Sequence, residues 1–360
     1  MSRKKKRREG RPEASGREPA PAAASPRRIS RRAWIVIAAN AALLLAGLAV
    51  LVQRDCRRTG DVALAFASDY PPVPVRECLE QLGGAEPALR HLRLYLAMPR
   101  WIAPHRAEAV GLLGSCGPGA RGRLLAALAE PDGRVRAAAA SALGLLGQDA
   151  ASAQGELLKL LADEDPEVRA AAASSLGLAG PPFGPAVEPL AGLLGSDREW
   201  KVRARAAESL DRIGPIEPGS AAAVKSLARG LGDREGLVRE AAAKALGRYG
   251  PAARAAVPEL VEALAPGRGD RSEHLDAIAR MSAAEALGRI GPGAAEAVPA
   301  LVRLLADPKA SIRLSAAEAL GRIGPAAAGA RTALERAGKD ESEDVRQAAS
   351  AALARLRGRY

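Results

Sequence analysis

One sequence pattern recurs eight times along the chain and limits the folds that the chain can adopt. Clear copies are residues 238–247 (VREAAAKALG) and 312–321 (IRLSAAEALG), and each is followed three residues later by a second glycine and a proline. The reference arginines of the copies are Arg106, Arg136, Arg169, Arg203, Arg239, Arg280, Arg313 and Arg346, at spacings of 30, 33, 34, 36, 41, 33 and 33. A period in the thirties predicts a stacked solenoid, because a unit of this size cannot bury its apolar face alone.

Each copy reads as a helix with a marked beginning and end. Alanine and leucine recur at i, i+3, i+4 and i+7, the period of one helical face. An acidic residue six positions before the arginine is expected to cap the helix start; these residues are Glu130, Asp163, Asp197, Asp233, Asp307 and Asp340. Gly-Pro pairs predict the helix end; they begin at Gly180, Gly214, Gly250, Gly291 and Gly324. A shorter apolar segment such as 297–305 predicts a partner helix, so the unit has two helices.

This two-helix unit, with its Asp, its Val-Arg and its Ala-Leu-Gly-x-x-Gly-Pro, resembles the HEAT repeat, in the short HEAT-like type named after phycobilisome lyases. The resemblance covers residues 85–360 and implies an all-α fold, a right-handed α-solenoid of about eight repeats. In that family the recurring aspartate and arginine form a ladder between neighbouring units. We therefore expect the eight reference arginines to be structural. The first and last copies depart from the consensus, as expected of units that face solvent on one side.

The amino-terminal quarter of the chain predicts a membrane anchor. Residues 33–52 carry no charge, and twenty residues at about 1.5 Å each cross a hydrocarbon core of about 30 Å. Residues 1–32 hold twelve Lys or Arg against three Glu, which is +9 of the formal +12. Only Arg54, Arg57 and Arg58 closely follow the span. This asymmetry predicts a disordered cytoplasmic tail over 1–32, a transmembrane helix over 33–52, a juxtamembrane linker and cap over 53–84, and an extracytoplasmic solenoid over 85–360.

Alternatives to this arrangement stay open. The span resembles a cleaved secretory signal in part, and Ser30-Arg31-Arg32 resembles a twin-arginine export signal. The basic tail is suited to anionic lipid, whereas a nuclear-localisation or nucleic-acid arm is the competing interpretation. Cys56, Cys78 and Cys116 are too few and too unevenly spaced for a disulfide framework or a zinc site. Cys78 and Cys116 are either bridged or unpaired core residues.

The sequence contains no recognisable catalytic arrangement. Its three histidines are His91, His105 and His274, and none is followed by Glu, unlike the His-Glu iron ligands of the related deoxyhypusine hydroxylase. The glycines recur at helix ends on the repeat period, so they form no phosphate loop or dinucleotide fingerprint. We therefore predict no catalytic residue, no metal ligand and no cofactor.

The outward stripe of the second helix differs between early and late units. Positions one, five and nine after the arginine share a helical face. In later units this stripe carries Glu–Arg pairs, such as Glu285 with Arg289 and Glu318 with Arg322. In two early units it is uncharged and predicts a partner-binding patch formed by Ala137, Ser141, Leu145, Ala170, Ser174 and Leu178. The competing interpretation is an ordinary alanine-rich surface.

Together these features predict a membrane-anchored protein–protein interaction scaffold whose partner is another protein. Two other functions remain as alternatives: a lyase-like or hydroxylase-like enzyme inherited with the fold, and a nucleic-acid-binding solenoid. Nucleic acid is the less favoured partner, because most of the net positive charge belongs to the tail beside the predicted span.

Overall fold

A computed structural model describes residues 85–97, 105–179, 184–217, 219–267 and 272–357. Within these ranges the protein consists of helices and turns and contains no strand. The described helices are α1 (Ala85–Ala97), α2 (Arg106–Gly114), α3 (Arg121–Ala127), α4 (Gly133–Leu145), α5 (Gln154–Leu160), α6 (Pro166–Leu178), α7 (Gly184–Ser196), α8 (Trp200–Ile213), α9 (Ser220–Gly230), α10 (Gly236–Tyr249), α11 (Val257–Ala263), α12 (Glu273–Ile290), α13 (Val298–Leu304), α14 (Ala310–Ile323), α15 (Arg331–Ala337) and α16 (Glu343–Leu356).

The helices alternate between two layers of a solenoid. Each even-numbered helix carries one reference arginine, packs against the next even-numbered helix, and is paired with the odd-numbered helix before it. The core is built mainly from alanine and leucine, together with a buried branched residue directly before the arginine in most units. These branched residues are Val135, Val168, Val202, Val238, Ile312 and Val345. The expected all-helical solenoid of repeats is confirmed.

Small residues let neighbouring even-numbered helices approach closely. In six even-numbered helices the glycine of a Leu-Gly pair lies against the next even-numbered helix. A methyl group placed on Gly144 would lie 2.9 Å from Ser175 Cα, and one on Gly288 would lie 2.9 Å from Ala319 Cα. Real side chains essentially never show such distances, so these positions require glycine as long as the helices stay this close.

The predicted helix ends are confirmed where the structure describes them. Gly214, Gly250, Gly291 and Gly324 end their helices with φ of 73°, 53°, 74° and 72°, a left-handed conformation that glycine adopts without strain. Gly180 lies outside the described residues. After three of these caps the chain forms a short 3₁₀ segment that the sequence analysis did not predict; the segments are Gly250–Ala256, Gly291–Ala297 and Gly324–Ala330.

The predicted helix starts are wrong by two or more residues. The acidic residue six positions before the arginine does not cap the helix; in five units its carboxylate accepts the N–H of the residue two positions later, as Asp163 does from Asp165 at 2.9 Å. The helix N-cap is this later residue, and Asp165 itself accepts the N–H of Glu167. The first acid is therefore a turn residue, and its remaining carboxylate capacity is available to an arginine.

The predicted membrane segment cannot be followed in the described part of the chain. No helix among the described residues is long and apolar enough to cross a bilayer. The tail over 1–32, the span over 33–52 and the linker over 53–84 all lie outside those residues.

Candidate protein-binding surface

The reference arginines connect each unit to the next through half-buried ion pairs. Arg136 donates through Nε and Nη2 to the two carboxylate oxygens of Asp163, at 2.9 and 2.8 Å. The same two-bond geometry joins Arg169 to Asp197, Arg203 to Asp233 and Arg313 to Asp340, at 2.6–2.9 Å. Paired parallel hydrogen bonds of this kind fix orientation as well as distance.

The remaining guanidinium nitrogen, Nη1, stabilises the turn that precedes the helix of the arginine's own unit. In six units Nη1 donates to the backbone carbonyls six and five residues earlier, at 2.8–3.2 Å. These arginines are Arg136, Arg169, Arg203, Arg239, Arg313 and Arg346. One guanidinium group thus orders two consecutive turns, which leaves little of it available to a ligand.

The ladder is less regular at its ends and beside the long repeat. Arg106 contacts Glu130 at 2.7 Å in the first step, and Arg346 donates to the carbonyls of Asp340 and Glu341 within its own turn. The 41-residue spacing moves the acid to Asp276, which lies 3.9 Å from Arg239. Arg280 keeps one bond to Asp307, at 2.5 Å, and turns Nε to the Leu264 carbonyl.

The ladder lowers the pKa of its aspartates. Burial raises the pKa of Asp197, but the hydrogen bonds from Arg169 and from the Glu199 N–H, with nearby arginine charge, outweigh burial and hold that pKa below its usual value. The same balance lowers the pKa of Asp163 and Asp233. These carboxylates remain ionised at neutral pH, as the ion pairs require.

The predicted partner-binding patch is only partly exposed. Leu145 at the end of α4 is 68% exposed and Leu178 at the end of α6 is 42% exposed, which makes them two of the four exposed large hydrophobic residues in the described ranges. Ser141 is exposed, whereas Ala137 and Ser174 are half-buried. Ala170 is 8% exposed and is therefore a buried residue, contrary to its predicted place on an open surface.

Ala170 instead lies in a groove that runs across α6, α8 and α10. The groove has a volume of about 380 Å³ and is also lined by Trp200, Ala204, Leu237 and Ala241. Leu237 is 40% exposed, and the sequence analysis missed it because it precedes the arginine and lies off the outward stripe. The sequence signal that could have identified Leu237 was an isolated leucine in the first turn of the second helix.

Charged residues around the groove neutralise one another. Lys201 contacts Glu167 on the neighbouring helix at 2.8 Å, and Glu240 pairs with Lys244 at 2.5 Å within α10. Arg205 pairs with Glu208 at 2.8 Å within α8. Exposed pairs of this kind contribute about 0–1 kcal/mol each, so their main effect is to leave the groove without a strong net charge.

The later units carry the predicted Glu–Arg pairs on the same layer of helices. Arg289 donates to Glu285 at 2.8 Å and Arg322 to Glu318 at 3.4 Å. Arg322 also lies 3.9 Å from Glu285 on the preceding even-numbered helix. Among the residues that the structure describes, no three His, Cys, Asp or Glu side chains are grouped so that they can hold a metal ion.

Comparison with known proteins identifies the repeat. The family model for HEAT repeats matches residues 120–211, 155–229, 196–273 and 269–354, which together cover well over half of the 360 residues. The chain belongs to the HEAT-repeat family. No curated protein sequence matches this HEAT-repeat chain.

Solved structures with the same HEAT-repeat fold are distant in sequence. An engineered protein from the Northeast Structural Genomics Consortium is 22% identical with a TM-score of 0.55, and the alignment covers 83% of this chain and 88% of that one. Kap121p is 16% identical with a TM-score of 0.53, both alone and bound to Pho4p. That alignment covers 81% of this chain and 36% of Kap121p, so the chain spans little more than a third of Kap121p. These likenesses show the fold alone.

Proposed function

We propose that this HEAT-repeat protein is a membrane-anchored scaffold that binds another protein through its even-numbered helices. The observation that carries the proposal is the exposure of Leu145 and Leu178 at equivalent positions of adjacent helices, next in the layer to the groove at Trp200. Exposed leucines that share a face offer surface that a partner buries at little polar cost. The complex of Kap121p with Pho4p is a precedent for a protein partner on this fold.

The membrane part of the proposal rests on sequence. The uncharged residues 33–52 serve as the anchor, and the basic residues 1–32 face the cytoplasm and anionic lipid. The solenoid then lies on the extracytoplasmic side. Within the family, we assign the repeats to the short HEAT-like, phycobilisome-lyase-type class, because their Val-Arg and Ala-Leu-Gly-x-x-Gly-Pro motifs resemble that type.

The test is site-specific photo-crosslinking of the full-length protein in its native membrane. A crosslinking residue at Leu178 should capture a defined partner, and one at Lys225, exposed on the odd-numbered helix α9, should not. Replacing Leu145 and Leu178 by Glu should weaken binding of that purified partner at least tenfold, which is about 1.4 kcal/mol, with an unchanged circular dichroism spectrum.

Lys225→Glu is the matched control, because it also adds negative charge but on the other layer. Equal losses from the control and from the leucine variants would place the partner elsewhere and contradict the proposed surface. Capture at Lys225 but not at Leu178 would do the same.

A further inference from the structure

A row of residues nine positions after each reference arginine runs across the even-numbered helices. From α4 to α16 the row reads Leu145, Leu178, Arg212, Arg248, Arg289, Arg322 and Arg355. It therefore begins with two exposed leucines and continues with five exposed arginines. Each arginine lies in the last turn of its helix, where the helix dipole favours positive charge.

The structure shows that the arginine part of the row is continuous. The stem of Arg322 lies over the preceding helix, since a methyl group on Gly288 would meet Arg322 Cδ at 3.4 Å. A methyl group on Gly247 would likewise meet Arg289 Cδ at 3.3 Å. Each stem thus crosses the seam toward the arginine of the previous unit, so neighbouring guanidinium groups share one strip of surface.

The arginines are only partly neutralised within the chain. Glu208, Glu285 and Glu318 lie one turn before three of them, at 2.8–4.0 Å from the arginine. Lys244 and Ala351 hold that position before Arg248 and Arg355, which form no ion pair with any described residue. Asp211 is a further acid beside the row. Arg248, Arg289 and Asp211 line a notch of about 190 Å³ that opens on the row.

Resting on the proposed function, we infer that this row binds an extended partner segment that carries apolar residues at one end and acidic residues along the rest. Adjacent helices lie about 8–10 Å apart. A polyproline II segment has three residues per turn and a rise of about 3.1 Å, so every third side chain returns to one face after about 9 Å. Acidic side chains spaced by three therefore match the arginine spacing.

Charge complementarity selects this partner over the alternatives. Carboxylates accept paired hydrogen bonds from arginine, and they compete for guanidinium groups whose exposed internal pairs contribute only about 0–1 kcal/mol. A nucleic acid would complement the arginines but would leave Leu145 and Leu178 against a polar backbone. A wholly apolar segment would offer no anion to the five arginines, three of which have only an exposed internal glutamate.

The test is binding of synthetic fluorescent peptides to the detergent-solubilised full-length protein. The probe contains two Leu-Pro-Pro triplets and then four Glu-Pro-Pro triplets, and a second probe has the reverse order of triplets. We expect one of the two to bind, with an affinity that falls at least tenfold when Arg248, Arg289 and Arg322 are all changed to Gln. Binding should also weaken at high salt, as screening predicts.

Two controls separate the row from general electrostatics. Changing Arg229, Arg303 and Arg336 on odd-numbered helices to Gln removes the same charge from another surface and should change affinity less than twofold. A peptide of the same composition with its four Glu residues consecutive should bind at least tenfold more weakly. Equal losses of affinity from both triple variants would overturn the inference. So would equal binding of the spaced-Glu and consecutive-Glu peptides, or no binding of either spaced-Glu probe.

The outcomes also distinguish this inference from the proposed function. If crosslinking at Leu178 captures a partner and the three row variants leave that partner's affinity unchanged, the scaffold function stands and the acidic segment is ruled out. If crosslinking at Leu178 captures no partner and neither peptide probe binds, both proposals fail.

Discussion

At the scale of single residues, the ladder aspartates connect folding stability to pH. The folded-state pKa of Asp163, Asp197, Asp233 and Asp340 lies below the ordinary value. For Asp340 the largest contribution is the hydrogen bond from Arg313. A depressed folded-state pKa gives stability that is present above the unfolded value of about 3.9 and is lost as pH falls through the folded value.

We therefore expect the free energy of unfolding to be nearly constant from about pH 5 to 8 and to fall steeply below about pH 4. Urea denaturation followed by circular dichroism, at pH values on both sides of 4, measures this free energy. Asp197→Asn should destabilise the protein at neutral pH by about 3 kcal/mol, because Arg169 is left half-buried without its anion, and should flatten the acid limb. An Asp197→Asn variant with the parent's acid limb would show that the ladder does not set the pH dependence.

At the scale of helices, the approach of neighbouring even-numbered helices depends on individual glycines. Gly288→Ala places a methyl group against the backbone of Ala319, so α12 and α14 must separate. We expect a loss of about 1–3 kcal/mol, the usual range for overpacking. Gly192→Ala in α7 is the control, since nothing lies within 4 Å of that position and alanine favours a helix by about 1 kcal/mol over glycine. Thermal unfolding should move in opposite directions for the two variants. A stabilised Gly288→Ala protein would contradict the close packing.

The same scale shows how far the sequence could predict the structure. The helices, their glycine ends and the arginine period follow from local spacing, which the sequence displays directly. The spacing did not show that Asp163 is a turn residue rather than the helix cap, because a cap two residues later produces the same acidic pattern. Its pairing with Arg136 was implied only by the family resemblance. Ala170 was misplaced for a related reason. A helical wheel shows the direction in which a side chain leaves its own helix, but it does not show which side chains the neighbouring helix buries. Leu237 was missed because it lies off the stripe.

At the scale of the whole molecule, the proposed topology predicts which parts of the chain a protease outside the membrane can reach. Twelve basic residues precede the predicted span and three closely follow it, so we expect protease outside intact spheroplasts to digest the solenoid and to leave residues 1–32 protected. Immunoblotting with antibodies to each end measures this. Detergent lysis should expose both ends and serves as the control. Digestion of the tail alone would reverse the proposed topology.

The contact between the arginine of one unit and the aspartate of the next also determines how such a chain can change length. Arg280 binds Asp307, and Arg313 in turn binds Asp340. A tandem gene duplication of residues 281–313 would give each copied arginine an aspartate in the following copy. A duplication of half that length would leave an arginine facing a helix instead. Chains of this kind therefore lengthen or shorten in whole-unit steps.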